Sequence, residues 1–373
     1  MEPAHQTAVW YRAAMKKSSL HAPKLAPSLD ESVRCVHVTS YDRQQPIAQR
    51  IAVISEARRD LDNGEVRVGM LAMTINPADL LQINGGYGVQ PKLPYTPGHE
   101  GVGIVLEAAP DVTHVSVGDL VLPLAPDGTW RDERVLSARQ VTVVEGEVDI
   151  LQCAMLSANP VTAWVLLHGL AELTSQNCLI QNAANSAVGQ CVRQLAAAMG
   201  VRLINVVRRA DAIDNQRLGD EHWIIDQDLS GTEFAEQVRR LAGGKPIPLA
   251  LDAIAGQATS KLAASVSPGG KVVVYGLLSQ QPSQVEPADL VFRGVSTHGF
   301  WLASWFADAQ NRATAKTVIP SLLGLLARGD LRMSVAATYD LAAIGTALDH
   351  ADQPRRDGKV LLTGAWLARL QQS

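Results

Sequence analysis

Residues 177–190, Asn-Cys-Leu-Ile-Gln-Asn-Ala-Ala-Asn-Ser-Ala-Val-Gly-Gln, constrain the chain more than any other stretch: an apolar strand runs into a small-residue turn that opens a helix. Such a turn offers unpaired backbone N–H groups and the positive end of a helix dipole, and small side chains let a diphosphate approach them. The glycine spacing usual for these turns is reduced here to Ala184, Ser186 and Gly189, so the pattern needs its context. A second strand, Val201–Val207, follows one helix later and ends in Arg208-Arg209, where a dinucleotide without a 2′-phosphate would meet Asp or Glu. Two guanidinium groups at that place point to NADPH.

At 373 residues the chain exceeds one ordinary core and fits two domains. A composition 47% hydrophobic and 19% charged is that of a soluble globular protein. Net charge is −4 with no basic stripe, so neither nucleic acid nor an anionic membrane is an expected partner. No run stays apolar for the ~18 residues of a membrane span. Cys35, Cys153, Cys178 and Cys191 form no Cys-x-x-Cys pair and read as buried thiols in a reducing compartment. Residues 1–31 mix Ala, Ser, Pro and His with Arg12, Lys16, Lys17 and Lys24. They are expected to be a flexible extension on a cytoplasmic protein; the alternative is a transit peptide to the mitochondrial matrix, against which Glu2 counts.

From Val33 to Val144 short strands alternate with turn signals: 33–38, 49–54, 65–73, 101–108, 120–124 and 141–144. They predict a small, partly closed β domain. Asn76-Pro77-Ala78-Asp79 places a proline at a first helical turn. Residues 150–170 read as a helix interrupted at Pro160. From residue 177, strands (177–183, 201–207, 222–226, 248–253, 270–277, 294–300) alternate with helices (187–199, 211–218, 231–242, 257–265), the pattern of a doubly wound parallel sheet. A helix over 314–328, kinked or restarted at Pro320, precedes a return to mixed character in 331–337, 341–350 and 359–363.

Taken together, these residues resemble the medium-chain dehydrogenase/reductase superfamily. Ile75-Asn76-Pro77-Ala78-Asp79, Pro97-Gly98-His99-Glu100-Gly101-Val102-Gly103 and Val117-Gly118-Asp119 carry the likeness. Within it the chain resembles the NADPH-dependent 2-enoyl thioester reductases through Gly128-Thr129-Trp130-Arg131, Asn159-Pro160-Val161-Thr162-Ala163, residues 181–190, Asn205-Val206-Val207-Arg208-Arg209 and Gly299-Phe300-Trp301-Leu302. The resemblance implies an α/β fold in which a Rossmann-type, doubly wound parallel-sheet domain, 156–314, is inserted in a GroES-like, partly closed β-barrel catalytic domain, 32–155 and 315–373. It implies reduction of an enoyl chain carried on acyl carrier protein or coenzyme A.

Zinc alcohol dehydrogenases share His99-Glu100, but a catalytic zinc needs about three protein ligands. Asn76 stands where those enzymes carry a cysteine, so no metal is expected and His99 reads as a strand histidine satisfied by hydrogen bonds. Reduction of an activated C=C bond needs donors aimed at the enolate and one acid, not a Lewis acid. Read alone, Tyr87 in Asn84-Gly85-Gly86-Tyr87-Gly88 is a loop tyrosine; the resemblance makes it the catalytic one. The resemblance also assigns cofactor contacts to Asn159, Asn185, Ser186, Ala187 and Val188, the 2′-phosphate to Arg208 and Arg209, and the nicotinamide end to Tyr275, Gly276, Leu277 and Leu278. Phe300, Trp301, Leu302 and Ala303 would line the nicotinamide, and Lys359 would reach a cofactor phosphate. Without the resemblance, Tyr275 and Phe300 are core residues and Lys359 a solvated edge charge; the Arg pair has a solvated face as its plain alternative, but its place just after the second strand favours the phosphate. Ala187 departs from the family's glycine, and residues 88–92 match nothing in it. A homodimer is expected through the sheet edge 294–300. The competing functions are a quinone or alkenal reductase of the same superfamily and a non-catalytic NADPH-binding protein.

Overall fold

The computed structural model describes residues 32–124, 128–213, 218–354 and 356–372. They divide into two compact units, one comprising the described residues up to 158 and from 332 onward, the other 159–331. The flexible extension expected over 1–31 lies outside the described residues.

The first unit is organised around β3, Glu65–Thr74, in which every residue after the first is buried. A strand covered on both faces reads as a continuous apolar run rather than an alternating one. It pairs antiparallel with β4, Gly101–Ala108, with β6, Glu133–Ser137, and with β15, Lys359–Thr363. With β5, Leu120–Pro123, β7, Val141–Val143, and β14, Val335–Asp340, these strands make a seven-stranded sheet in the order β14-β15-β3-β4-β5-β7, with β6 on β3. A separate antiparallel pair joins β1, Ser32–Val38, to β2, Ile51–Ala57. The pairing of β15 with β3 brings the C-terminal segment into this unit, which resumes at 332, whereas the sequence reading set that boundary at 315. The difference is the helix Arg312–Arg328, which packs on Asn159–His168 of the second unit and runs unbroken through Pro320.

The second unit holds a six-stranded sheet, β8 Cys178–Gln181, β9 Arg202–Val207, β10 Glu221–Ile225, β11 Leu249–Asp252, β12 Lys271–Val274 and β13 Ser296–Gly299. All neighbours are parallel, and the order β10-β9-β8-β11-β12-β13 is that of a Rossmann-type fold. The strand order reverses between β8 and β11, so a ligand crevice is expected beyond the carboxyl ends there. A buried polar network locks the turn-bearing strand to its neighbours. Gln181 Nε2 donates to Asn205 Oδ1 at 2.8 Å, and Asn205 Nδ2 donates to Glu221 Oε2 at 3.0 Å. Arg193, on the helix Ala187–Ala198, donates to both Glu221 oxygens at 2.9 Å, and the pair is 3% and 1% exposed. Every charge in this network has a bonded partner, which a buried ion pair requires.

Four local expectations change. The helix expected over 150–170 is two, Ile150–Ala154 and Asn159–His168, and Pro160 starts the second, where its missing N–H is harmless. Of the helix expected over 211–218, residues 211 and 212 fall in a 3-10 turn, Ala210–Ala212, and 214–217 lie outside the described residues. Helices Pro287–Arg293, Leu302–Ala307 and Ala365–Gln372, and strand β6, were not anticipated; each is too short to show a clear period. The edge strand β13 is Ser-Thr-His-Gly, not apolar; the exposed apolar residues are Leu290, Val291 and Phe292 on the helix before it.

Candidate active site

In the second unit, the turn after β8 keeps its shape with almost no glycine. Ala183 adopts φ 46°, a left-handed conformation costing a β-carbon-bearing residue about 1–2 kcal/mol. It is held by the Ser186 N–H on its carbonyl at 2.8 Å and by the Ala184 N–H on Val206 O at 3.3 Å. Ser186 caps the helix, its side chain accepting the Gly189 N–H at 3.1 Å. The N–H groups of Ala187 and Val188 precede any intrahelical acceptor, so they are available to an anion. Gly189 is the one glycine the turn cannot lose, since a Cβ there would lie 2.7 Å from the carbonyl oxygens of Ala183 and Ala184. Asn185 is exposed at the tip, and Arg208 is exposed just past the end of β9. Arg209 donates through Nε to Asp211 Oδ1 at 2.8 Å.

The remaining expected cofactor residues fall along the same carboxyl edge. Tyr275 and Gly276 follow β12, and a Cβ on Gly276 would meet Ala253 O at 2.4 Å, so only glycine lets these backbones approach. Burial pushes the Tyr275 hydroxyl's pKa up, partly offset by the nearby Ser186 side chain. Leu277 and Leu278 are 57% and 60% exposed, and Phe300 to Ala303 follow β13, with Trp301 39% exposed. Crossing β9, β8, β11, β12 and β13 spans four inter-strand steps, about 19 Å at ~4.8 Å each. That crevice, with its open amides, its close-packed glycine and a guanidinium at one end, fits an extended dinucleotide. Asn159 is buried at the start of its helix.

Lys359 opens β15 in the first unit, is 4% exposed and donates through Nζ to Asn76 Oδ1, so it is not a solvated edge charge. Around it is a buried cluster. Glu100 is fully buried; its Oε1 accepts from Thr74 Oγ1 at 2.9 Å and Asn76 Nδ2 at 2.8 Å, and its Oε2 accepts the Ala158 N–H at 2.8 Å. Burial pushes the Glu100 pKa up, opposed by the Lys359 ammonium and these donors.

Beside this cluster the helix Pro77–Ile83 begins with a capping box between Asn76 and Asp79. Asp79 is fully buried and its carboxylate serves three donors. Oδ2 accepts the Asn76 N–H at 2.6 Å, and Oδ1 accepts the His99 N–H at 3.1 Å and His99 Nδ1–H at 2.5 Å. An ionised carboxylate only accepts, which assigns the ring proton to Nδ1. His99 precedes β4 rather than lying within it. The Tyr87 ring, half-buried, stands edge-on to His99 with centroids 5.1 Å apart and planes at 66°. The sequence reading missed Asp79 as the residue that orients His99; the spacing Asn-x-x-Asp signals the cap, but the reach to residue 99 is tertiary.

These donors do not fit a zinc ion. Asn76 offers no thiolate and is bonded at both ends of its amide, and Lys359 sets a positive charge against the cluster. Among the described residues, no group of three metal-ligating side chains includes His99.

The chain matches two family models, the alcohol dehydrogenase GroES-like domain over residues 62–143 and the zinc-binding dehydrogenase over 187–320. It is 34% identical to the human mitochondrial enoyl-[acyl-carrier-protein] reductase over 97% of this chain and 96% of that one. It is similar in structure to a protein from Bacillus thuringiensis described as a putative NADPH:quinone reductase, with TM-score 0.80 and 30% identity over 89% of this chain and 99% of that one. It also shares its fold with the mitochondrial 2-enoyl thioester reductase heterodimer of Candida tropicalis, with TM-score 0.78 and 22% identity over 89% and 99% of the respective chains. A relative more than 30% identical over nearly the full length of both chains, carried on a Rossmann-type sheet and a GroES-like unit, decides the family. The chain belongs to the enoyl-[acyl-carrier-protein] reductases of the medium-chain dehydrogenase/reductase superfamily.

Proposed function

We propose that the chain carries its family's activity, NADPH-dependent reduction of the C=C bond of a 2-enoyl thioester, and that Tyr87 is its catalytic residue. The observation that carries the proposal is the Asp79–His99–Tyr87 arrangement, which steadies a phenol in a glycine-flanked loop beside a donor set unsuited to zinc. NADPH, when bound, supplies a hydride to the β-carbon. As the π pair shifts toward the carbonyl, the Tyr87 hydroxyl donates a hydrogen bond to the thioester oxygen, and the α-carbon then takes its proton from that hydroxyl, which solvent water reprotonates. Asp79 and His99 act through Tyr87 as positioning residues.

For the cofactor we assign the diphosphate to Asn185–Val188, the 2′-phosphate to Arg208 and Arg209, and the nicotinamide end to Asn159, Tyr275–Leu278 and Phe300–Ala303. Exposed apolar residues Leu290, Val291 and Phe292 beside the edge strand β13 support a homodimer, since a second copy would cover both. Relatives named as mitochondrial favour reading the basic segment 1–31 as a transit peptide over a cytoplasmic extension. The carrier is acyl carrier protein or coenzyme A.

The test is NADPH oxidation with crotonyl thioesters of both carriers beside quinones and free enals. Turnover of the enoyl thioesters is expected. Turnover of quinones alone would place the chain with its quinone-reducing relatives, and NADPH binding with no turnover would make it a non-catalytic binding protein.

A further inference from the structure

One cluster outside the reductase site has metal-ligand chemistry. Cys35 and His37 alternate on one face of β1, and Glu56 of β2 reaches the same face; the Sγ, ring-nitrogen and carboxylate atoms all lie within 4.8 Å of one another. His37 Nε2 and Glu56 Oε1 are 3.0 Å apart, Cys35 is fully buried beneath them, and His37 is half-buried. The other Glu56 oxygen lies 3.5 Å from Arg131 Nη1, and Arg131 Nη2 donates to Thr96 Oγ1 at 2.7 Å. This is not a stray cysteine near acids on the surface. It is a soft, a borderline and a hard ligand converging from paired strands, with the carboxylate oriented from behind by a charged partner as metal-bound carboxylates are.

We propose that Cys35, His37 and Glu56 form a binding site for one zinc ion that staples β1 to β2. A thiolate with imidazole and carboxylate selects zinc over magnesium or calcium, which take oxygen ligands. Three protein ligands leave the fourth tetrahedral position to a water on the half-exposed side. On ligation the Cys35 thiol gives its proton to solvent and forms the Zn–S bond. His37 binds through Nε2 as the neutral ring, its proton on Nδ1, and Glu56 exchanges its contact with His37 for the metal. Arg131 stays outside the metal's coordination shell, where it holds the second carboxylate oxygen and offsets the charge of the two anionic ligands. The site is separate from the reductase reading, and its test needs no turnover.

The experiment is titration of the chelator-treated, full-length protein with zinc, followed by elemental analysis after gel filtration, and with cobalt(II), followed by absorption. About one zinc per chain is expected, with a sulfur-to-cobalt charge-transfer band in the near ultraviolet. Outer partners of a metal cost 10–100-fold in affinity when removed, so C35S and H37A, which remove direct ligands, should weaken binding by more than ~100-fold. E56Q keeps the shape of the side chain and separates ligand loss from misfolding; it should also lose zinc while keeping the circular dichroism of the parent. Zinc should raise the melting temperature of the parent and not that of C35S. The proposal is overturned if cobalt gives no thiolate band, or if C35S, H37A and E56Q retain as much zinc as the parent.

Discussion

Replacing Arg208 with alanine should remove most of the preference for NADPH. Arg208 is exposed past the end of β9, whereas Arg209 is tied to Asp211 at 2.8 Å, with side chains 34% and 64% exposed. That carboxylate cancels part of the field of Arg209, so the 2′-phosphate falls mainly to Arg208. A charge-assisted hydrogen bond contributes about 1.5–3 kcal/mol, and about 1.4 kcal/mol is tenfold in affinity. Arg208→Ala should therefore raise the KM for NADPH by about 10- to 150-fold and leave that for NADH unchanged. Asp211→Ala, which releases Arg209, should move the ratio the other way by only about twofold, because the pair is exposed and worth ~0.5 kcal/mol. Initial rates with each cofactor at saturating crotonyl thioester measure both. The NADPH advantage of the parent should also shrink as salt rises, since the charges are solvent-exposed. An unchanged NADPH-to-NADH ratio in Arg208→Ala, or equal efficiency with the two cofactors in the parent, would refute the assignment.

Asp79→Asn leaves one of three N–H donors without an acceptor in a fully buried place, so it should cost about 2–3 kcal/mol and lower both the melting temperature and kcat; parent-like values of both would contradict the orienting role of Asp79. Dialysis against a chelator should leave enoyl-thioester turnover unchanged even where it strips metal from Cys35, His37 and Glu56, and activity that is lost and then restored by zinc would overturn the reading of His99. Light scattering at micromolar concentration should give twice the chain's 39.9 kDa, and Phe292→Asp should return it to a monomer; a parent already monomeric would contradict the dimer.

The nucleotide unit was legible in the sequence because its signals are local. A buried parallel strand, a small-residue turn and an amphipathic helix follow one another within twenty residues, and the alternation then repeats at a fixed spacing. Strands of the first unit were legible for the same reason, except β6, whose Glu133 and Arg134 break the apolar run while the burial comes from β3 and the final helix. The burial of Lys359 was hidden because sequence shows a charge beside a strand, not what lies across the sheet from it. Its partners, Asn76 and Glu100, are hundreds of residues earlier and meet it only once β15 pairs with β3. The Gln181–Asn205–Glu221–Arg193 network was hidden likewise, one residue coming from each of four elements. Tyr87 and His99 were each visible as candidates, but that Asp79 turns one toward the other depends on a loop and a cap meeting in space.

The central claim is that the Tyr87 hydroxyl acts on the enolate, and Tyr87→Phe tests it most directly. The variant keeps the ring that stands edge-on to His99 and removes only the donor, so folding and the local packing are held constant. Loss of one hydrogen-bond donor to a developing oxyanion costs about 10²-fold or more in kcat. The account predicts that fall with a crotonyl thioester, together with an unchanged Kd for NADPH measured on the same folded sample. Turnover at the parent rate would contradict it, and would reduce Tyr87 to a loop residue.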